Sequence, residues 1–468
     1  MSSSEISRIQ RIYRTSRLLL NLEKPIDHSE RRYTQLSQTF LTSLLGRGLM
    51  ILVGFISLPL TVQYLGAEKY GIWVTISTFL TWLTIFDFGI GNGLINKLSE
   101  AYSFGDVKKA QSYIATALAT MSGISILLGI GFSVGLSYIN WHELLNVSGQ
   151  VNPNEVSISI SFAIICFLLN FPLSIFQKIL LAYQEGVISN YWNIAGSVSS
   201  LLALIWVTRT QSGLIWLVMA LGVTQLVVSA ICGIWIFIRH KPELRPSMRS
   251  VRYDMLNSMA RHSGLFFVIQ IAALVLFQTD NLIIAKYIGV QNVTDYSVAY
   301  KLFSYIPMLQ ALYLTPLWPA YAEATAKRDW GWIKKTLLRS IKITIFAGFP
   351  ASLALAFIAQ PFIHFWTSGQ IVPDRMVIWM LAAWTCMGLW GACFAYMMNG
   401  LGEIKNQALF ASLMAIINLV LSITLVQDYG VTGVIAGTLI SYGLISVTVS
   451  PIDAFITLKR LSLRNDHT

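Results

Sequence analysis

Apolar runs of about twenty residues or more recur from residue 40 to residue 456, with only short polar breaks between them, and they decide what this chain can become. A helix rises ~1.5 Å per residue, so about twenty residues cross the ~30 Å of hydrocarbon in a bilayer. In that medium only helices and closed barrels satisfy every backbone N–H and C=O. We read twelve such runs, at approximately 40–63, 71–95, 114–139, 156–182, 187–208, 213–237, 264–288, 294–320, 340–366, 376–399, 406–426 and 430–456. The 468 residues are 55% hydrophobic and 12% charged, which overrides the two or three soluble domains that length alone would suggest. The expectation is an all-α polytopic membrane protein of about 12 transmembrane helices.

Charge sets the orientation. Of the 33 lysines and arginines, Lys69, Arg209 and Arg375 fall in segments on one side, and Arg47, Lys178, Lys286, Lys301 and Lys342 fall within spans. The remaining 25 lie on the other side, so the positive-inside rule predicts both termini in the cytoplasm. An odd number of spans would spoil this asymmetry. The expected organisation is a basic cytoplasmic segment at 1–35, a first lobe at 36–240, a basic cytoplasmic linker at 241–263, a second lobe at 264–458 and a tail at 459–468. Arg8, Arg11, Arg14 and Arg17 recur every three residues among isoleucines, a pattern of a helix lying on an anionic leaflet or of a mobile basic tail. The net charge of +11 does not imply a nucleic-acid partner, because the basic residues are spread between apolar runs. The four cysteines all lie in apolar runs, as small hydrophobes do, and suggest neither a disulfide framework nor a metal site.

The halves repeat. Tyr64-Leu65-Gly66 before the Tyr70 run matches Tyr287-Ile288-Gly289 before the Tyr296 run, 223 positions on, and residues 180–190 match 398–406 about 218 positions on. Six spans per half insert both copies the same way up, which predicts parallel repeats about an axis along the membrane normal with a cavity between them.

No phosphate-binding loop ending in Lys-Ser or Lys-Thr is present, and the glycines at 89, 91 and 93 follow no strand, so close packing explains them better than a nucleotide. His364, near the end of its span, reads as an interfacial residue. The informative set is the intramembrane charge. Arg47 and Asp87 lie at matching depth in spans 1 and 2, as do Asp280 and Lys301 in spans 7 and 8, which suggests two ion pairs. The alternative is that Arg47 snorkels to the headgroups and each acid braces neighbouring helices. Lys178, Lys286 and Lys342 read as snorkelling. The copies differ here: Arg47 aligns with Gln270 and Asp87 with Gln310. A symmetric scaffold needs no such difference, and a transporter of an asymmetric substrate does.

Pro59-Leu60, Tyr64-Leu65-Gly66, Tyr70-Gly71-Ile72-Trp73 and Asp87-Phe88-Gly89-Ile90-Gly91-Asn92-Gly93 together resemble the bacterial oligosaccharide flippases, the Wzx-type polysaccharide biosynthesis proteins of the multidrug/oligosaccharidyl-lipid/polysaccharide exporter superfamily. The resemblance implies two six-helix lobes around a V-shaped cavity in the cytoplasmic membrane. It implies alternating-access transfer of an undecaprenyl-pyrophosphate-linked oligosaccharide for surface polysaccharide synthesis, with a polysaccharide polymerase and a chain-length regulator as partners beside membrane lipids. On that reading Arg47 and Lys301 would attract the pyrophosphate, and Asp87 and Asp280 would serve a coupling ion, H⁺ or Na⁺, or gating; no cofactor is called for. Two other classes stay open. A cation-coupled multidrug exporter should favour acids over bases in its cavity, and a membrane glycosyltransferase or polymerase should carry a larger loop or soluble region than this chain has.

Overall fold

Backbone polar groups in a bilayer must be matched within the segment that crosses it, and the described residues do this with helices and carry no strand. The computed structural model describes residues 28–135, 141, 147, 151–209, 213–261 and 264–463; the arginines from Arg8 to Arg17 lie outside them. In order come α1 (His28–Leu83), α2 (Ile90–Ser103), α3 (Val107–Gly135), α4 (Pro153–Leu173), α5 (Ile175–Ala182), α6 (Gly186–Thr208) and α7 (Leu214–Trp235). After a linker with a short helix, α8 (Tyr253–Arg261), follow α9 (Gly264–Tyr287), α10 (Val290–Leu314), α11 (Leu317–Ala326), α12 (Trp330–Ile343), α13 (Phe349–Trp366), α14 (Arg375–Leu401), α15 (Ile404–Tyr442) and α16 (Ser450–Leu463). Three hydroxyls of span 2 are satisfied by their own helix: Thr75, Ser77 and Thr81 each donate to the carbonyl four residues back.

Among the described residues, nine helical stretches are long and apolar enough to cross a membrane. Two of them, Leu44–Asp87 and Lys405–Leu463, are double crossings folded at a glycine. Gly66 (φ 73°, ψ 170°) and Gly430 (φ 58°, ψ −136°) take angles that no helix has and that glycine tolerates best. The remaining crossing, α10, has 25 residues but carries Asp295 and Lys301. Twelve crossings result, as expected. Two departures concern continuity. Span 2 was expected unbroken from 71 to 95, yet it stops in a 3₁₀ turn at Thr84–Asp87 and restarts as α2. Span 8 likewise stops at Leu314, just before Pro316, and resumes as α11.

The duplication is visible in the backbone. Left-handed positions recur 223 residues apart at Gly66 and Gly289 and at Gly105 and Arg328, then 218 and 217 apart at Gln184 and Gly402 and at Gly213 and Gly430. Each half also closes with the same clamp. At the start of its fifth span Glu185 takes His240 Nε2 at 2.8 Å and Lys241 Nζ at 2.9 Å, and Glu403, 218 positions on, takes Arg460 at 2.8 Å. Because the crossings follow in one order and one direction, the two six-helix lobes are parallel repeats.

The cores show how the lobes meet. Toward the end at which α16 stops each lobe has its own core: Ile90, Leu94, Ile114, Ile179 and Met259 in the first, Tyr321, Ile333, Leu337, Phe394 and Leu458 in the second. Toward the opposite end one core is shared, with Val62 and Ile72 beside Val290, Val293 and Ile363. The cleft between the lobes is therefore V-shaped and opens toward the end at which α16 stops, with the Phe88–Phe267 ring contact (5.8 Å) at one side. Its closed end is a seam. A Cβ on Gly71 would stand 1.8 Å from Val290 O, and Thr294 Oγ1 donates to Ala67 O. Farther along, Trp366 Nε1 donates to Phe55 O (2.9 Å) while its ring stacks on Phe55, and Gln63 Nε2 donates to Ser368 Oγ (2.7 Å).

Over-packing a tight contact costs about 1–3 kcal/mol. Gly71→Ala should part the seam and raise the rate at which an impermeant thiol reagent labels a cysteine placed at Ser368 by about fivefold or more. An unchanged rate would show that the Gly71 contact does not hold the lobes together.

Candidate transport cavity

The break in span 2 places Asp87. Phe88 (φ 48°) and Gly89 (φ 74°) are consecutive left-handed residues, so the chain turns sharply and Asp87 Oδ1 accepts the Gly91 N–H (2.8 Å) in the first turn of α2. A carboxylate at the positive end of a helix dipole is favourably placed. The three glycines have separate duties. Gly89 makes the turn, Gly91 leaves room for Asp87 and Lys178, and Gly93 lets α2 approach the linker, where a Cβ would stand 2.4 Å from Met259 O. This is the close packing expected of them.

Asp87 is not paired with Arg47. Arg47 is half-buried and makes no ion pair among the described residues, whereas a Cβ on Gly91 would lie 3.0 Å from Asp87 Oδ2 and 3.2 Å from Lys178 Cε. Lys178, read from sequence as snorkelling, is therefore the cation beside Asp87. It sits in α5, redirected by the break that follows Pro172.

The second expected pair is also absent. Asp280, 4% exposed, accepts the Tyr296 hydroxyl (2.8 Å) and Thr438 Oγ1 (3.4 Å) on Oδ2, and its Oδ1 has no hydrogen-bond partner. Thr438 in turn accepts from Asn418 Nδ2 (2.8 Å), and Asn418 Oδ1, fully buried, is also without a partner. Residues four apart share a helix face and the next residue points ~100° away. Tyr296 and Tyr300 thus face Asp280, and Lys301 turns out of the lobe. Lys301 is exposed, and its tip reaches span 1 of the other lobe: a Cβ on Gly54 would stand 3.6 Å from Lys301 Cε and 4.0 Å from Nζ.

Two cavities flank that lysine. One of about 590 Å³ lies inside the first lobe between α1, α4, α5, α6 and α7, walled by Asn170, Ser174, Gln177, Asn193, Ser197 and Gln225. The other, about 530 Å³, lies inside the second lobe, walled by Tyr300, Trp384, Ala392, Ala411, Met414 and Tyr442. Gly54, which Lys301 approaches, borders the first, and Tyr300 and Ser304, its neighbours on α10, border the second, so Lys301 stands between them. Sequence reasoning that looked for paired charge missed these walls, where Lys178 and Asp453 are the charged members, and the Asn418–Thr438 pair. The available signal was the amides inside apolar runs.

Two lobes hinged at one end, with a cleft open at the other and polar side chains turned inward from lipid, define a multi-pass membrane transporter. The model of the family described as polysaccharide biosynthesis protein matches residues 36–325, and the chain belongs to that family. The chain is 25% identical over 422 residues to a putative O-antigen transporter of Salmonella typhi, covering 88% of this chain and 94% of that protein. It is 22% identical over 429 residues to a putative O-antigen export protein of Yersinia pseudotuberculosis, covering 88% and 95%. Among solved structures, an inward-facing multidrug resistance transporter of the MATE family and MOP superfamily aligns with TM-score 0.74 at 14% identity over 89% of this chain and 96% of that one. An outward-facing structure of such a transporter aligns at 0.60 and 13% identity, over 91% and 96%. The resemblance carried by Pro59 to Gly93 is thereby borne out in the family, and the solved structures share the fold.

The Asp87–Lys178 contact is testable by a double-mutant cycle on purified protein. Lys178→Gln and Asp87→Asn should each lower the melting temperature, and the double variant should lose less than the sum, with a coupling of about 0.5 kcal/mol or more. Strict additivity would mean that the two charges do not sense each other.

Proposed function

We propose that the protein flips an undecaprenyl-pyrophosphate-linked oligosaccharide across the bacterial cytoplasmic membrane by alternating access, for O-antigen, capsule or exopolysaccharide synthesis. The observation that carries this reading is Lys301, a cation without an acidic partner among the described residues, which reaches from one lobe to Gly54 of the other. A pyrophosphate entering a site of low effective dielectric is attracted to such a charge more strongly than it would be in water. Arg47, also free of a carboxylate among the described residues, is the second candidate, and its guanidinium fork suits phosphate oxygens. Asp280, with one oxygen unmatched, is the residue for the coupling ion, H⁺ or Na⁺; Asp87, at the break in span 2, is the residue for gating. Both termini are cytoplasmic on this reading, residues 36–240 and 264–458 are the moving lobes, and a polymerase and chain-length regulator take up the product. The relatives named as O-antigen transporters support the substrate class.

Two experiments test it. Lys301→Gln and Arg47→Gln should reduce transport of the lipid-linked substrate per folded molecule by about tenfold, while Arg47→Lys should retain part of it. Reduced abundance with unchanged transport per molecule would mean that these residues only brace or snorkel. Asp280→Asn keeps an acceptor for Tyr296 and loses the charge, so folded protein should persist while the response of transport to an imposed H⁺ or Na⁺ gradient is lost; a normal response would remove Asp280 from coupling.

A further inference from the structure

The two cavities occupy the same place in the two copies of the repeat. Met50, Val53 and Gly54 of the first wall correspond, 223 positions on, to Ala273, Leu276 and Phe277 of the second. At 218 positions Asn170, Ser174, Gln177 and Asn193 correspond to Gly388, Ala392, Ala395 and Ala411, and at 217 Gln225 corresponds to Tyr442. All but Lys178, Ser197, Ser200 and Cys232 of the residues walling the first cavity have a counterpart walling the second. These are one cavity, duplicated. The copies kept its place and changed its chemistry: Asn170, Ser174, Gln177, Asn193 and Gln225 of the first lobe are glycine, alanine and tyrosine in the second, while Ser229 is kept as Ser446 and the second wall adds Gln407 and Asp453.

We infer that the duplicated cavity has divided one amphipathic substrate, the first-lobe copy receiving the sugars and the second-lobe copy receiving the isoprenoid chain next to the pyrophosphate. This rests on the flippase reading above and adds to it an address for each end of the substrate. The argument is one of exclusion as much as attraction. An isoprenoid chain already lies in hydrocarbon, so moving it into the apolar cavity is close to neutral. Moving it against Asn170, Gln177, Asn193 and Gln225 would strip those amides of water without replacing it. A glycan meets the reverse situation, because its hydroxyls can be matched by the amides and hydroxyls of the first wall, whereas the second offers fewer polar groups, among them Gln407, Ser446, Ser450 and Asp453. Both volumes fall in the range of about 300–1,000 Å³ usual for ligand sites. Lys301 stands between the cavities, where the charged junction of such a molecule would come to rest.

The test uses the full-length protein in nanodiscs and geranylgeranyl pyrophosphate bearing a photoreactive group at its far end, a probe with the isoprenoid and the pyrophosphate but no sugar. Labelled peptides should come from α14 and α15. Ala395→Gln together with Ala411→Asn, which places the first-lobe residues on the equivalent backbone of the second, should weaken labelling by about tenfold, or 1.4 kcal/mol. Gln177→Ala together with Asn193→Ala should leave labelling by this sugarless probe within about twofold and lower transport of the glycosylated substrate. The other copy holds each of these residues at the equivalent backbone position, and a melting scan of each variant checks that it folds, Gln177→Ala in particular because it removes the acceptor of the Ser189 hydroxyl. Labelling confined to the first lobe or to lipid-facing surfaces, or insensitive to the Ala395 and Ala411 changes, would overturn the division and leave the flippase reading standing. Absence of any labelling that inorganic pyrophosphate competes away would overturn both.

Discussion

The contact on which the architecture depends is the seam where Ala67 and Gly71 meet Val290 and Thr294. These two pairs stand 223 positions apart, so each lobe offers the same patch to the other, and the contact straddles the axis that relates the halves. It is made chiefly by backbone. Gly71 lets the carbonyl of Val290 come where a side chain would otherwise sit, and Thr294 answers with a hydrogen bond to Ala67 O. A seam at one end of two long lobes turns small rotations there into large displacements at the other end. The separate cores near the end at which α16 stops are what such a lever requires, since a shared core at both ends would lock the lobes together.

The parts legible in the sequence were those governed by length, hydropathy and repetition. The number of crossings, the parallel halves and the tight turns at Gly66 and Gly289 all follow from one-dimensional spacing. The ion pairs did not, because depth in the membrane is one coordinate and direction around the helix is another. Arg47 and Asp87 share a depth, yet the 3₁₀ turn before Phe88 aims the carboxylate at the start of α2 and at Lys178 of α5. Lys301 shares a depth with Asp280 and lies one residue past the face that Tyr296 and Tyr300 present to it. The cavities were hidden for another reason: their walls are mostly neutral residues from several helices, and no local motif gathers Asn170, Asn193 and Gln225.

The lobes share a backbone plan and differ in what they put inside it. The buried acid of the second lobe is held by Tyr296 and Thr438, while the residue 223 positions before it is Ser57, which donates to a carbonyl of its own helix. Asp87 in turn aligns with Gln310, whose amide bridges Thr344 Oγ1 and Leu389 O, each at 2.9 Å. Position is kept and chemistry is exchanged, which is how a two-fold scaffold acquires an inside without two-fold symmetry.

The left-handed turns are held by different residues in the two halves. At one equivalent pair the first half has Gly105 and the second Arg328; at another the first half has Gln184 and the second Gly402. A residue with a side chain is disfavoured by about 1–2 kcal/mol in that conformation, and glycine is not. At each turn one copy holds the conformation with glycine and the other holds it against that cost, and the two halves divide the burden, one bearing it at Gln184 and the other at Arg328. The shape of a turn thus belongs to the lobe around it, which keeps the backbone in place whichever residue stands there.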